Sequence, residues 1–216
     1  KWGIILLLAL ASLGAALLSM SFGSTQVPFS EILTALMGGE TQAYNIVVYA
    51  RLPRTLAALL CGSALAVGGV IIQGVLGNPL AGPNIIGVNA GAGLGAVLCA
   101  ALIPTSMTAV PVAAFLGALG ACMLVYTLAR RTGASRITLV LAGVAISSML
   151  SAAIDAVSIL FPEAALGAGS FMVGRLSGVT VAALKVPALL SLLAGAGAFA
   201  MSYELDLLTL GDEVAQ

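Results

Sequence analysis

The segment Arg51–Gly95 decides the fold of this chain, and it reads RLPRTLAALLCGSALAVGGVIIQGVLGNPLAGPNIIGVNAGAGLG. Two arginines flank a proline near its start, an apolar stretch follows, and a polar break with prolines separates that stretch from a glycine-rich apolar one. Polar groups and irregular backbone at membrane depth are tolerated where they face protein or a water-filled path. The segment therefore predicts the body of a membrane transporter rather than a simple anchor.

The composition of the whole chain indicates the same class. Of 216 residues, 61% are hydrophobic and 7% are charged, whereas a soluble domain carries roughly 25% charged residues. The formal net charge is zero without a basic tail, which argues against nucleic-acid binding. The chain has no histidine, and this excludes imidazole catalysis and histidine ligation of a metal. Its three cysteines lie in apolar stretches without metal-ligand spacing, so we interpret them as small buried side chains.

Six apolar stretches are near the length of about 20 helical residues that a bilayer crossing requires. They cover residues 2–22, 55–76, 85–103, 109–129, 137–161 and 184–201. We therefore predict an all-α, polytopic membrane helical bundle over residues 1–216, with 202–216 following the last span. Polar inserts lie at 23–54 and 162–183, on one side of the membrane if all six stretches cross. A short amphipathic helix lying along the membrane surface is predicted from Phe29 to Met37, and a second short helix, outside the bilayer, around Phe171, Met172 and Leu176.

Charge alone does not orient this bundle. The basic residues divide evenly, with Lys1, Arg130, Arg131 and Arg136 at one end and Arg51, Arg54, Arg175 and Lys185 at the other. The tight cluster Arg130–Arg136 favours its end as the cytoplasmic one, because cytoplasmic loops are enriched in lysine and arginine. The arginines at the opposite end then need an explanation of their own.

Glycines recur at every fourth position in Gly87, Gly91 and Gly95. Small residues on one helix face let two helices approach closely in lipid, so this pattern predicts tight helix contact. The run Gly91–Gly95 is loosely similar to a nucleotide-binding loop, but no strand precedes it and its surroundings are apolar. We therefore reject a nucleotide site there.

A set of short motifs resembles the FecCD family of ABC-transporter permeases. The motifs are Arg51-Leu-Pro-Arg54, Gln73-Gly74, Asn78-Pro79-Leu80-Ala81, Pro83, Gly87 and Asn89-x-Gly91, with Leu207–Ala215 resembling the family's cytoplasmic segment after the sixth helix. The resemblance implies about ten transmembrane helices, of which this chain carries about six. It is thus expected to be the front part of a permease for an iron-siderophore, haem or vitamin B12, in the bacterial cytoplasmic membrane.

The resemblance also implies the partners. They are a second permease copy in a homodimer, cytoplasmic ATPase subunits, an extracytoplasmic substrate-binding protein, the metal-chelate substrate and membrane lipid. The sequence agrees with ATP hydrolysis on a separate subunit, since neither Lys1 nor Lys185 follows a glycine-rich phosphate loop. We predict no catalytic residue, no cofactor and no metal ligand in this chain, and transport by alternating access.

Docking of the binding protein is expected at the outer arginines. The resemblance implies that Arg51 and Arg54 face outward and pair with acidic residues of that protein, with Arg175 as a further candidate. Paired guanidinium groups steer an acidic partner and set its orientation. The alternative is that these arginines are interfacial anchors that extend to lipid headgroups.

Candidates for the translocation pathway are Gln73, Asn78, Pro79, Pro83, Asn89 and Asp155. The stretch 78–83 interrupts the helices, because proline cannot continue a helix, and it is either a pathway-lining bend, a plain turn, or both. Gln73 and Asn89 either line the pathway or bond a neighbouring helix. Asp155 is the single acid within a predicted span, and it is either a pathway group or reaches the interface.

Contact with the ATPase is expected to begin at Leu210, Gly211, Asp212 and Glu213. The resemblance implies a short cytoplasmic helix there, and Asp212 and Glu213 suit the first turn of a helix, where the dipole favours negative charge. The alternative is a solvated acidic tail.

Two other functions stay open at this point: a gradient-driven secondary transporter, whose sites also use broken helices, and a non-transporting membrane fragment that binds a partner.

Overall fold

A computed structural model describes residues 2–39, 41–106, 108–133 and 135–209. These residues form helices joined by turns, and no strand occurs among them. The elements are α1 (Trp2–Ser21), α2 (Phe29–Leu36), α3 (Tyr44–Ile46), a π-helical turn (Val47–Arg51), α4 (Leu52–Leu76), a 3-10 turn (Pro83–Ile86), α5 (Val88–Leu102), α6 (Ala109–Arg131), α7 (Arg136–Leu160), α8 (Pro162–Met172), α9 (Val181–Ala200) and α10 (Ser202–Thr209). The predicted all-α membrane bundle is confirmed.

Five helical segments of the described chain are long and apolar enough to cross a membrane. They are Trp2–Ser21, Tyr44–Leu76, Ala109–Arg131, Arg136–Leu160 and Val181–Ala200. The third predicted span, 85–103, differs, because α5 has only 15 residues. At 1.5 Å per residue α5 is about 22 Å long, shorter than the roughly 30 Å hydrocarbon core. The cause is Gly87, whose left-handed backbone (φ 77°) separates the 3-10 turn from α5.

The second predicted span also differs at its start. It begins at Tyr44 rather than at residue 55, because α3 and the π-helical turn run directly into α4. The continuous segment Tyr44–Leu76 has 33 residues, which corresponds to about 50 Å at 1.5 Å per residue. This longer segment places Arg51 inside the helical run instead of in the loop before it.

The chain divides into two compact units. The first unit comprises Lys1–Ala64 and Leu176–Gly197, and the second comprises Leu65–Arg175 and Ala198–Gln216. The core of the first unit is formed by Met20, Val27, Ile32, Ala35, Ala43 and Val47. The α2 helix contributes Ile32 and Ala35 to this core while Phe29 and Leu33 are exposed. The predicted short helix is confirmed over Phe29–Leu36, and its place on the membrane surface stays a prediction.

The second unit is packed through small residues. Ala96 and Val97 of α5, Ala114 of α6 and Ala168 of α8 are its buried centre. A Cβ added at Gly91 or Gly95 would overlap the backbone of α6. The helices approach so closely because these positions carry no side chain, and the predicted tight helix contact is confirmed.

Two smaller expectations change. The helix in the second polar insert runs over Pro162–Met172, since proline suits the first position of a helix, and Leu176 lies beyond its end. Of the cysteines, Cys99 is buried as expected, whereas Cys122 is half-buried and Cys61 is exposed.

Candidate functional site

Arg51 is the last residue of the π-helical turn and is half-buried in the first unit. Its Nη1 donates hydrogen bonds to the carbonyl oxygens of Met20 (2.6 Å) and Ser21 (2.9 Å), the last two residues of α1. Its Nη2 donates to the carbonyl oxygen of Thr25. The final carbonyls of a helix lack intrahelical donors and carry the negative end of the helix dipole. The Arg51 guanidinium therefore closes the C-terminus of α1 and fixes the loop after it.

Arg54, in the first turn of α4, is exposed. Its neighbours Pro53 and Thr55 are buried, and Thr55 Oγ1 lies 3.0 Å from Ser19 Oγ in α1. Among the described residues, no hydrogen bond or ion pair engages the Arg54 guanidinium. The buried neighbours thus hold the start of α4 against α1, while the charge of Arg54 points outward.

Both arginines line a cleft of about 500 Å³ in the first unit. The rest of its lining consists of Ser19, Phe22, Gly23, Ser24, Ile46, Tyr49, Ala50, Leu176, Ser177, Gly178 and Val179. Because Arg51 already donates to three backbone carbonyls, the cleft presents Arg54 as its available cation. The two arginines that the sequence treated as an equivalent pair have different surroundings.

Arg175, the third predicted docking residue, belongs to the second unit. It is exposed and follows Gly174, whose left-handed backbone (φ 70°) ends the turn after α8. Its amide donates to the carbonyl oxygen of Ser170 at 3.0 Å. The docking role of Arg175 stays a prediction.

The polar break after α4 begins with a glycine-capped helix end. Gly77 has a left-handed backbone (φ 60°). Its amide donates to the Gly74 carbonyl (3.3 Å) and the Asn78 amide donates to the Gln73 carbonyl (3.1 Å). This pair of bonds is the Schellman motif, which satisfies the last carbonyls of a helix. The side chain of Gln73 is half-buried, and its pathway role stays a prediction.

Asn78 and Pro79 continue the break as a tight turn. The Oδ1 atom of Asn78 accepts from the Leu80 amide at 2.9 Å, and its carbonyl accepts from the Ala81 amide at 3.0 Å. Pro79 occupies the second position of this turn, where its fixed φ is favourable. Pro83 then opens the 3-10 turn. The interpretation of 78–83 as a structural turn is supported, and its lining of a pathway stays a prediction.

A pair of amide side chains lies on either side of Gly87. Asn89, exposed in the first turn of α5, donates from Nδ2 to Oδ1 of Asn84 in the 3-10 turn. A Cβ at Gly143 of α7 would overlap the Ile85 carbonyl, so α7 packs directly on this turn. Sequence reasoning missed Asn84, because a spacing of five across a left-handed glycine follows no helical pattern.

Acidic side chains form no metal site in the part of the chain that the structure describes. No group of three or more cysteine, aspartate or glutamate residues is placed there to hold a metal ion. Asp155 is exposed on α7, five residues before the end of that helix at Leu160. Its place in a pathway stays a prediction.

The predicted coupling residues Leu210, Gly211, Asp212 and Glu213 lie outside the described residues. The helix that leads to them is α10, and its Leu208 carbonyl accepts a hydrogen bond from Arg136 Nη2 at 2.9 Å. From the sequence, Arg136 was expected only to help orient the bundle as one of its basic residues. The contact joins residues 72 positions apart, and no local sequence pattern indicates it.

Comparison with known proteins relates these features to transport proteins. The FecCD transport family matches residues 7–216 of the chain. The Fe(3+) dicitrate transport system permease protein FecD of Escherichia coli K12 is 36% identical over 213 residues, covering 98% of this chain and 66% of the relative. The ferric enterobactin transport system permease protein FepD of the same organism is 38% identical over 217 residues, covering 99% and 64%.

The fold agrees with a solved structure described as an inward-facing conformation of a metal-chelate type ABC transporter. The TM-score is 0.80 at 26% identity, covering 99% of this chain and 65% of that one. The chain therefore spans about two thirds of the length of these relatives. Its apolar helices and its relatives make it a multi-pass protein of the bacterial cytoplasmic membrane. Since family and fold both match over nearly the whole sequence, this chain belongs to the FecCD transport family.

Proposed function

We propose that this chain serves as a permease subunit of an ATP-driven importer for a metal chelate, such as an iron-siderophore, haem or cobalamin. The observation that carries the proposal is the FecCD match over residues 7–216. Relatives named as permeases for ferric dicitrate and ferric enterobactin support the chelate class. The subunit alternates between conformations open to one side of the membrane and to the other.

The proposal includes the partners of such an importer. A second permease copy forms a homodimer, a substrate-binding protein delivers the chelate, and the dimer lies in membrane lipid. ATP hydrolysis is assigned to separate cytoplasmic subunits, and this sequence contains no Gly-x-x-x-x-Gly-Lys phosphate loop. The chain is proposed to hold no resident cofactor, because the metal arrives as part of the substrate.

Arg54 is the proposed contact for an acidic residue of the binding protein. It is exposed at the cleft, on a helix start held by buried Pro53 and Thr55. Arg51 has a different task in the same site, because its donors fix the α1 end and the loop that line the cleft. Charges at the rim of an interface mainly change the association rate and its salt dependence. Arg51 therefore positions the site and Arg54 meets the partner.

The polar residues around the helix break are proposed to line the chelate pathway. The strongest candidates are Asn89 and its partner Asn84, which are both exposed. Neutral amides hydrogen-bond a chelate, and they lack the thiolate and imidazole groups that bind transition metals firmly. The same proposal covers Gln73, Asn78, Pro79, Pro83 and Asp155 as further lining residues.

Uptake of a ferric siderophore into proteoliposomes tests the importer function. The permease carrying this sequence is reconstituted with ATPase subunits and a binding protein, and radioactive iron inside the vesicles is counted. We expect uptake only with ATP and the binding protein together, and none with a hydrolysis-deficient ATPase. Uptake that a proton gradient drives without ATP would instead establish a secondary transporter.

Binding kinetics test the docking site. For the Arg54→Glu variant, we expect association with the binding protein to be at least about tenfold slower at low salt. The difference should shrink at high salt, because salt screens exposed charges. Arg131→Ala, which removes an exposed arginine from the opposite end of the predicted topology, is the matched control and should leave the rate unchanged. Equal rates for Arg54→Glu and the unchanged protein would contradict Arg54 as the contact.

A further inference from the structure

We propose that Arg136 is a positioning residue that links α10, and with it the segment beginning at Leu210, to the turn that ends α4. The inference rests on the proposed function and on the contact with the ATPase that the family resemblance implies for that segment. Arg136, Gly77 and Leu208 all belong to the second unit.

The Arg136 guanidinium does not cap α7, the helix to which Arg136 belongs. It is the first residue of α7, where the positive end of the helix dipole disfavours a cation. The cap of α7 comes instead from Ser135, whose Oγ accepts from the Thr138 amide at 3.1 Å. The Arg136 side chain is half-buried and extends to other elements. The side chain contacts α10 and the turn at Gly77, which both lie outside α7.

The first of these partners is the C-terminal turn of α10. Nη2 of Arg136 donates to the Leu208 carbonyl at 2.9 Å, one residue before α10 ends at Thr209. The last four carbonyls of a helix lack intrahelical donors, and a cation is favourable beside them. The last turn of α10 has no basic residue of its own. A helix of 8 residues is marginal in isolation, so this contact matters for holding α10 in place.

The second partner is the turn at Gly77. A Cβ built at Gly77 would overlap Nη1 of Arg136. The backbone of Gly77 is left-handed (φ 60°), which side chains rarely adopt. The position thus leaves room for the guanidinium and for no side chain. One planar group lies against the end of α4 and bonds the end of α10.

The geometry gives this contact a mechanical consequence. A guanidinium is rigid and presents five donors in a fixed plane, so it holds two backbone segments at a defined separation. A displacement of α10 by the ATPase is therefore transmitted to the N-terminus of α7 and to the turn at Gly77. That turn leads directly into Asn78 and Pro79, two of the proposed pathway residues. Arg136 connects the ATPase contact with the break in the helices.

Hydrogen exchange measures the link in the isolated protein. In Arg136→Ala, the amides of α10 should exchange about tenfold faster, because a charge-assisted hydrogen bond to its last turn is lost. Arg136→Lys should fall between this variant and the unchanged protein. Arg131→Ala, an exposed arginine of the same loop region, is the control and should leave α10 protection unchanged. Unchanged protection of α10 in Arg136→Ala would overturn the link.

Coupling of hydrolysis to uptake is the second readout. In the reconstituted importer, Arg136→Ala should transport at least about fivefold less chelate per ATP hydrolysed, a loss within the usual range of coupling free energies. A merely structural role would instead lower uptake and hydrolysis together, and that outcome overturns the coupling role. If the unchanged protein shows no ATP-driven uptake, the proposed function fails and the coupling role fails with it. The exchange experiment still decides independently whether Arg136 holds α10.

Discussion

In each of the two units, an arginine donates to carbonyl oxygens at the end of a helix. The two contacts differ in how far apart in the sequence the bonded segments lie. Arg51 bonds one continuous stretch of backbone, from Met20 to Thr25, which is the end of α1 and the loop after it. Arg136 bonds Leu208, 72 positions away, and lies against Gly77. The first contact fixes local structure, whereas the second connects elements that are distant in the sequence.

The comparison teaches that an arginine motif does not reveal whether its charge is available. Arg51 and Arg136 are half-buried and donate to backbone carbonyls, while Arg54 and Arg131 are exposed. Within each region, one arginine is bonded to backbone carbonyls and another is exposed. Stability, measured as the free energy of unfolding in detergent, distinguishes these positions.

The largest difference in stability is expected between alanine variants of Gly77, which lies against Arg136, and Gly23, which lies against Arg51. Gly77→Ala should destabilise the protein by about 2 to 3 kcal/mol, because the left-handed backbone disfavours a Cβ and Arg136 must move. Gly23→Ala should cost under about 1 kcal/mol, since Gly23 does not have a left-handed backbone and only a small shift is needed to relieve the 2.9 Å approach of the new Cβ to Arg51 Nη2. Similar costs for the two variants would show that neither the left-handed backbone of Gly77 nor its contact with Arg136 constrains that position.

The next largest difference in stability is expected between the alanine variants of Arg51 and Arg54. Arg51→Ala should lower the free energy of unfolding by about 2 kcal/mol, because carbonyls at the end of α1 lose their charged donor. Arg54→Ala should change it by less than about 0.5 kcal/mol, as is usual for an exposed side chain without partners. Chemical unfolding monitored by circular dichroism compares the two variants. A greater loss of stability in Arg54→Ala than in Arg51→Ala would contradict the structural role of Arg51 and the role of Arg54 as the exposed contact.

The smallest effect concerns the cap beside Arg136. Ser135→Ala removes the hydroxyl that accepts from the Thr138 amide, and we expect a loss of about 0.5 to 1 kcal/mol. Ser135→Asn retains a capping acceptor and should restore most of the stability. If Ser135→Ala costs more than Arg136→Ala, then the cap of α7 contributes more to stability than the guanidinium contact.

Much of the fold was predictable because it depends on local composition and length. Apolar stretches of bilayer length identified the membrane helices, and the spacing of Gly91 and Gly95 indicated their close contact. The prolines Pro79 and Pro83 indicated the break after α4. The short α5 was not predictable, because the left-handed backbone of Gly87 that divides it from the 3-10 turn depends on packing against α7.

The candidate site was predictable only as a set of residue types. Arg51 and Arg54 were predicted to lie together at the start of a span, whereas Arg51 lies within the longer segment Tyr44–Leu76, and its hydrogen bonds depend on where the end of α1 lies. Asn84 was missed because its bond to Asn89 crosses a glycine in an unusual conformation. Arg136 was seen only as a charge, since its acceptor is in a helix far along the chain.

The amino-acid sequence alone determined that this protein lies in the membrane, is helical, and interrupts its helices at a polar segment. Those properties follow from the free energy of transferring each side chain and backbone group into lipid, which is a local quantity. Tertiary structure alone decided which arginine is bonded internally and which is accessible. Hydrogen bonding of a guanidinium requires carbonyl acceptors within reach, and only the folded chain brings the end of α1 to Arg51 and the end of α10 to Arg136.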